Sequence, residues 1–535
     1  MRKNTFLRKN EGPTPSKKGG LNIKKNRFQY LDYPPPYGRN VDPAPYKDPI
    51  PSTDLDYVFA LENSTSPPDF LYQQGPDSKL WVFDYNSNPA VPPSFSWTPP
   101  ASDVPEFKNA NEILVNGNDI FIFYYFRNPN AAAGSFLERP WDHSNPSRLV
   151  KFSDVVIDFP GSSITYSSAE VVELTKGVGI HGITKNSTHI YASQRSYPVG
   201  GSYTEDTGIF KIPLSGALTF ERFIPSDGGF TEEGVFEDWY GAPFEQPEAL
   251  QPSPFTEYFG VDYRGADEIH VHGDYLYLDI GVHLITSSGK EFFSSGNHGW
   301  SVWRKAIGRL PLSDLTAPVE VVYVGDGRGM TGDFQNSQFI ARGNYLYAHM
   351  GLRIFGSVFA EIDLRDPSKI RSQDQESTNR GVFFDRSAEN PLRVGDVITD
   401  PHGLAFWGDK LVFTTSSNSL SPVLGIVDIN EKVAVEAYLD IMWPIIDLGL
   451  TRLPPFDYDR TDIQDFKASV SVTDDIAVVG DYAYVGLEYR GSSYSTGYTM
   501  AVLSVDLNNP TPSGVSICST MTNGCYSVYH PNQII

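Results

Sequence analysis

The stretch "VVGDYAYVGLEYRG", Val478 to Gly491, decides the fold. Apolar and polar residues alternate on both sides of a Gly-Asp pair, and Tyr482 and Tyr484 stand two apart. Period-two alternation flanking two turn residues is the signature of a β-hairpin. The phrase returns as "VNGNDIFIFYY" from Val115, "VHGDYLYLDIG" from Val271, "ARGNYLYAHMG" from Ala341 and "FWGDKLVFTTS" from Phe406. A sixth copy, "GIHGITKNSTHIYASQ", aligns with Ser187 at the glycine position. Between Gly117 and Gly480 the copies recur about every 73 residues, and each has an apolar residue four before the turn: Ile113, Ile183, Ile269, Phe339, Leu404 and Ile476.

After a variable gap each copy offers a further strand, among them "TGIFKIPLSG", "FAEIDLRDPSK" and "AVLSVDLNNPTP". Four strands per unit, in tandem, cannot bury both faces alone and must stack on neighbours, which is the requirement of a propeller blade. The early "DSKLWVFDYNSNPAVPPSF" reads as the end of one more unit, beginning near Asp54. The expectation is an all-β propeller of seven blades, six as the alternative, over residues 54–535, with long insertions between strands. The 46 Gly and 41 Pro in 535 residues fit a turn-rich β fold, and 40% hydrophobic content is enough for a core.

These repeats resemble the LVIVP-like propeller repeats, whose units read roughly "GnYaYva…GL.viDisnP". "VVGDYAYVG" with "AVLSVDLNNPTP", and "ARGNYLYAHMG" with "FAEIDLRDPSK", carry the resemblance, over about residues 54–520. It implies architecture and little of function, because propellers host many unrelated activities.

Two regions fall outside the repeat. Residues 1–53 form a Pro-rich arm, read as extended chain from "YLDYPPPYGRNVDPAPYKDPIP". Arg2, Lys3, Arg8, Lys9, Lys17, Lys18, Lys24, Lys25 and Arg27 stand against Glu11 alone, a net of +8, which leaves −31 for the remainder of a chain at −23 overall. Basic arms bind acidic surfaces, of nucleic acid or of protein. Residues 433–455, "VAVEAYLDIMWPIIDLGLTRLPP", are an apolar insertion whose Met442 and Trp443 suit either packing under the propeller or a subunit contact. Basic residues at the N-terminus precede no apolar run, which argues against a secretory signal and for synthesis in the cytoplasm. No apolar stretch is long enough for a membrane span. Cys518 and Cys525 flank "STMTNG" and would face each other across an Asn-Gly hairpin. Without a secretory signal, two reduced structural thiols are the default.

The chain has no G-x-S-x-G, P-loop, H-E-x-x-H or zinc-spaced Cys/His set. Counting back from the turn glycine, the fifth position reads Glu112, Gly182, Glu268, Gln338, Gly403 and Asp475, and the sixth Asn111, His181, Asp267, Ser337, His402 and Asp474. If these strands line the axis, Glu112, Asp267, Glu268, Gln338, Asp474 and Asp475 form a polar, carboxylate-rich ring at one mouth. Three readings stand: a divalent metal held by carboxylates with His181 and His402, supporting hydrolysis or lactone chemistry; an acidic sleeve that a polyanion passes without sticking; or strand-end groups meeting water. Calcium has candidate loops in Asp457, Asp459, Asp462 and Asp465, and in Asp326 and Asp333, neither with EF-hand spacing. Trp300 and Trp303 in "NHGWSVW" could stack on sugars of a glycan or receptor.

The basic arm on a propeller body is also similar to the tail nozzles of short-tailed bacteriophages, and "GGLN" at Gly19–Asn22 is similar to an N-terminal phrase of some members. That resemblance implies a virion tail component without cofactor. It implies copies that form a ring of six, meet an adaptor through the arm and let DNA leave through the tube.

Overall fold

The computed structural model describes residues 55–62, 77–125 except 109, 146–176, 180–194, 198–199, 202–203, 208–233 except 227, 256–261, 266–285 except 267, 303–324, 337–352, 356–364, 380–382, 400–417, 420–429, 435–440, 470–489, 500–521 and 525–531. The basic arm, the insertion around Met442 and Trp443, and the candidate calcium loops lie outside these residues.

Every described element of length is a β-strand, and all the strand pairs are antiparallel. Six sheets are four-stranded blades, and in five of them the strands follow one another in chain order from inside to outside. A further sheet, between residues 228 and 324, has six strands. Ile269–His272, Tyr275–Ile285, Trp303–Pro311 and Glu320–Val324 follow blade order there, and the hairpin Gly228–Glu233 with Thr256–Val261 pairs onto the far half of Tyr275–Ile285.

The innermost strands are β1 (Ala110–Asn116), β2 (Ile180–Lys185), β3 (Ile269–His272), β4 (Ser337–Arg342), β5 (Asp400–Trp407), β6 (Val470–Val479) and β7 (Cys525–Tyr529). Each packs beside the next, and β7 packs beside both β6 and β1, so the row closes on itself. β7 is the C-terminal strand, yet it pairs with the N-terminal Val58–Glu62, to which Lys79–Phe83 and Ser94–Trp97 are added in turn. The early unit beginning near Asp54 therefore supplies three outer strands and borrows its inner one from the other end of the chain.

The core is divided in the same way. Among the described residues seven hydrophobic clusters each join two adjacent sheets. In the opening stretch, Ala483, Val485 and Leu487 pack toward the sheet of β5, while Tyr482 and Tyr484 pack toward that of β7. Alternation along a strand thus serves two neighbours rather than one core and one solvent face. Tyr484 is fully buried.

The turns explain the repeated glycine. Gly117, Gly273, Gly343, Gly408 and Gly480 all have φ between 56° and 60°, and none of the Asn or Asp residues that follow is left-handed. A left-handed first residue in a two-residue hairpin is the demand of a type II′ turn, for which glycine is suited. Ser187 is not left-handed. Its copy turns instead on Asn186, whose Oδ1 accepts the backbone N–H of Thr188 at 2.9 Å and of His189 at 2.8 Å, and the Thr188 hydroxyl at 3.0 Å.

The predicted hairpin between Cys518 and Cys525 is a correction. Val515–Met521 pairs with Met500–Asp506, whereas Cys525 begins β7 in the next sheet. The strands on either side of the Asn-Gly segment thus lie in different sheets. Both cysteines are buried and not disulfide-bonded, and burial raises the Cys518 thiol to about 12.

Candidate functional site

Strand direction alternates within each sheet, so the glycine turns lie at one end of the ring and the starts of the inner strands at the other. The fifth-position row sits at the starting end. The position of Tyr529 adds Ser527 to that row, because Tyr529 meets the next strand as Thr184 and His270, three before their turns, meet theirs. Glu112, Glu268 and Asp475 are half-buried, Ser527 is buried, and Gly182 and Gly403 carry no side chain. Asp475 does not stand open in isolation: the Ser527 hydroxyl donates to its Oδ2 at 2.7 Å, joining β6 to β7. Gln338, in the same row, is buried at 8% exposure. Asn111, one position earlier, is also buried, and its amide nitrogen donates to the Ile180 carbonyl of β2.

Asp267 lies outside the described residues, and Asp474, His181 and His402 are placed only as backbone, on β6, β2 and β5. Trp300 is outside as well, and Trp303 is placed as backbone opposite His283. Among the described residues no group of three His, Cys, Asp or Glu side chains is arranged to hold a metal ion. No described helix is long and apolar enough to cross a membrane.

Two further rows, not anticipated from the sequence, bind blade to blade. At the third position before the turn, Thr184 accepts the Val271 N–H at 3.0 Å and His270 Nε2 accepts the Ala341 N–H at 3.2 Å, while Tyr529 Oη takes the equivalent Val115 N–H at 3.2 Å. At the last position before the turn, His272 reaches the Gly343 carbonyl at 2.6 Å, Arg342 the Gly408 carbonyl at 2.5 Å, and Trp407 Nε1 the Asp481 carboxylate at 3.2 Å. The blades of β3, β4 and β5 are thereby each tied to the turn of the next. Lys185 Nζ instead reaches back to the Val115 carbonyl at 2.6 Å, and burial lowers its ammonium to about 8. A fixed alignment to the turn glycine was the signal that could have found these residues.

Where the first sheet closes, no covalent turn exists. His530, just past β7, meets Asp56, just before Val58–Glu62, at 3.2 Å, and Tyr85 Oη donates to the same carboxylate oxygen at 2.7 Å. Burial outweighs the attraction of Asp56 and lowers His530 to about 4. The imidazole is neutral at pH 7 and donates an ordinary hydrogen bond to the carboxylate.

A closed ring of inner strands with its core split between sheets defines the chain as a β-propeller. No family model matches it, and no curated protein matches it. Among solved structures it is similar to the periplasmic gluconolactonase PpgL of Pseudomonas aeruginosa (10% identity, TM-score 0.40, covering 88% of this chain and 98% of that one). It is also similar to prolyl oligopeptidase B of Galerina marginata (13%, TM-score 0.36, 88% of this chain and 52% of that one). A third is the parainfluenza virus 5 hemagglutinin-neuraminidase (9%, TM-score 0.34, 77% of this chain and 86% of that one). None of these likenesses carries an activity to this chain.

Proposed function

We propose that the protein is a non-catalytic assembly subunit, a propeller whose copies associate around an acidic passage, with the tail nozzle of a short-tailed bacteriophage as its setting. In this reading the six-stranded sheet is the seventh blade. The observation that carries it is the charge partition: a segment of +8 in residues 1–27 joined to a body of −31. Opposite charges on one chain attract copies to one another as readily as they fold back. The half-buried Glu112, Glu268 and Asp475 at the starting mouth add support, since a mouth with carboxylates repels phosphate and would not hold nucleic acid back.

The test is electron microscopy and light scattering of the purified protein, alone and with residues 1–53 removed. Closed rings or tubes for the full chain, dispersed by the truncation or by raising salt, support the proposal. A monomer at all concentrations, with stoichiometric divalent metal and a hydrolytic activity lost in His402→Ala, would replace it by the hydrolase reading. Glycan binding lost in Trp303→Ala would replace it by a receptor-binding one.

A further inference from the structure

We propose that the contact between β3 and β4 is an acid-released seam, with His270 as its trigger and His272 as its passive neighbour. The inference follows from which atoms donate. A backbone N–H can only donate, so the Nε2 of His270, facing the Ala341 N–H at 3.2 Å, must be unprotonated. A carbonyl can only accept, so the Nε2 of His272, 2.6 Å from the Gly343 oxygen, must carry a proton. The two rings lie nearly parallel, 6.5 Å apart and 17° between planes, on the same face of β3. They therefore hold opposite tautomers against one neighbour.

Protonation acts on them differently. The bond from His272 Nε2–H to the Gly343 carbonyl uses a donor, so it does not need an unprotonated nitrogen. His270 takes it on Nε2, and its acceptor becomes a second donor pointed at an N–H. The hydrogen bond is lost and a charge is left buried, since His270 is 1% exposed. On the packed elements, the ionisable groups are Tyr275, Tyr277, Asp279 and His283 on the second strand, with Arg309 and Glu320 behind Tyr277; His181 and Lys185 on β2; and Arg342 on β4. Arg342 is already directed to the Gly408 carbonyl, and Lys185 to that of Val115. Burial first, then the neighbouring His272, lowers His270 to about 3.

The sign is fixed by linkage. A histidine lowered in the closed state takes up its proton on opening, so the seam is fully closed above about pH 6.5 and loosens as pH falls toward 3. At pH 4.5 the closed state is disfavoured on the order of 100-fold relative to pH 8. The experiment is amide hydrogen exchange of Ala341 in the full chain between pH 8 and 4.5, corrected for intrinsic exchange. The expected result is loss of protection by about that factor in the wild type and in His272→Gln. In His270→Gln, whose amide oxygen can still accept the N–H, protection stays level. Equal pH profiles in the wild type and His270→Gln overturn the proposal. So does wild-type protection of Ala341 that is constant with pH, which needs no variant to fold.

Discussion

Two glycines show how differently one residue type is used. At Gly480 a side chain would meet nothing within 4 Å, but φ is +56°. The only cost of Gly480→Ala is a left-handed backbone, about 1 kcal/mol. Gly425 has an ordinary backbone and pairs with Phe413, whose ring atoms would lie 2.3 Å from an added Cβ. Gly425→Ala must displace a fully buried ring between two sheets, and overpacking of that kind costs about 1–3 kcal/mol. Urea denaturation should therefore rank Gly425→Ala below Gly480→Ala in stability. Gly480→Asn should gain little over alanine, because the first residue of a type II′ turn does not lie in the αL well that asparagine tolerates. A Gly480→Ala variant as unstable as Gly425→Ala would mean that the turn is packed against something.

At the scale of the element, the hairpin at Ser187 makes a separate claim. It has the repeat's length and place but none of its glycine, and the Asn186 side chain does the turning. Asn186→Ala removes an acceptor for two N–H groups and one hydroxyl and should cost about 1 kcal/mol. Restoring the consensus with Ser187→Gly should not stabilise, because that position is not left-handed and glycine adds freedom to the unfolded chain. A rise in thermal midpoint for Ser187→Gly would contradict the turn described. This hairpin also marks what was legible in the sequence. Alternation and turn residues placed the inner hairpins, because both are local. Their apolar residues four before the turn, Ile113 through Ile476, are all core. What blades do to each other was not legible: whether Gln338 meets solvent, or which atom His270 faces, depends on a strand some 70 residues away. The change of sheet between Met521 and Cys525 was misread as a hairpin for the same reason. An Asn-Gly pair fixes a turn locally, while the choice of sheet for the next strand is made by what it can bury.

At the scale of the whole molecule, stability depends on closure. In an open row of stacked repeats the end units expose a face, and each unit leans only on its neighbours. Here the last face is covered by β7, which buries Cys525, Val528 and Tyr529 completely or nearly so, sends Tyr529 Oη to Val115 on the first inner strand, and receives Asp475 from the last. Full burial of a large apolar side chain contributes about 1.5–3 kcal/mol, so Val528 and Tyr529 alone bring several kcal/mol, comparable to the net stability of a domain. The ends are pinned outside the sheet by His530 on Asp56, and the loop of the first sheet is held by Tyr484 Oη on the Pro89 carbonyl at 2.8 Å. A chain ending at Met521 should therefore lose cooperative unfolding altogether rather than lose one blade. The glycine-turn hairpins would remain, but Ala477, Tyr484 and Val502 on one side, and Leu61, Ile113 and Val115 on the other, would face water. Adding residues 522–535 as a separate peptide supplies the missing inner strand without a covalent link, as the native Asp56–His530 junction already has none. Calorimetry should show a single restored transition whose midpoint rises with peptide concentration. A truncated chain that melts cooperatively at the wild-type temperature would show that the ring does not depend on its last strand.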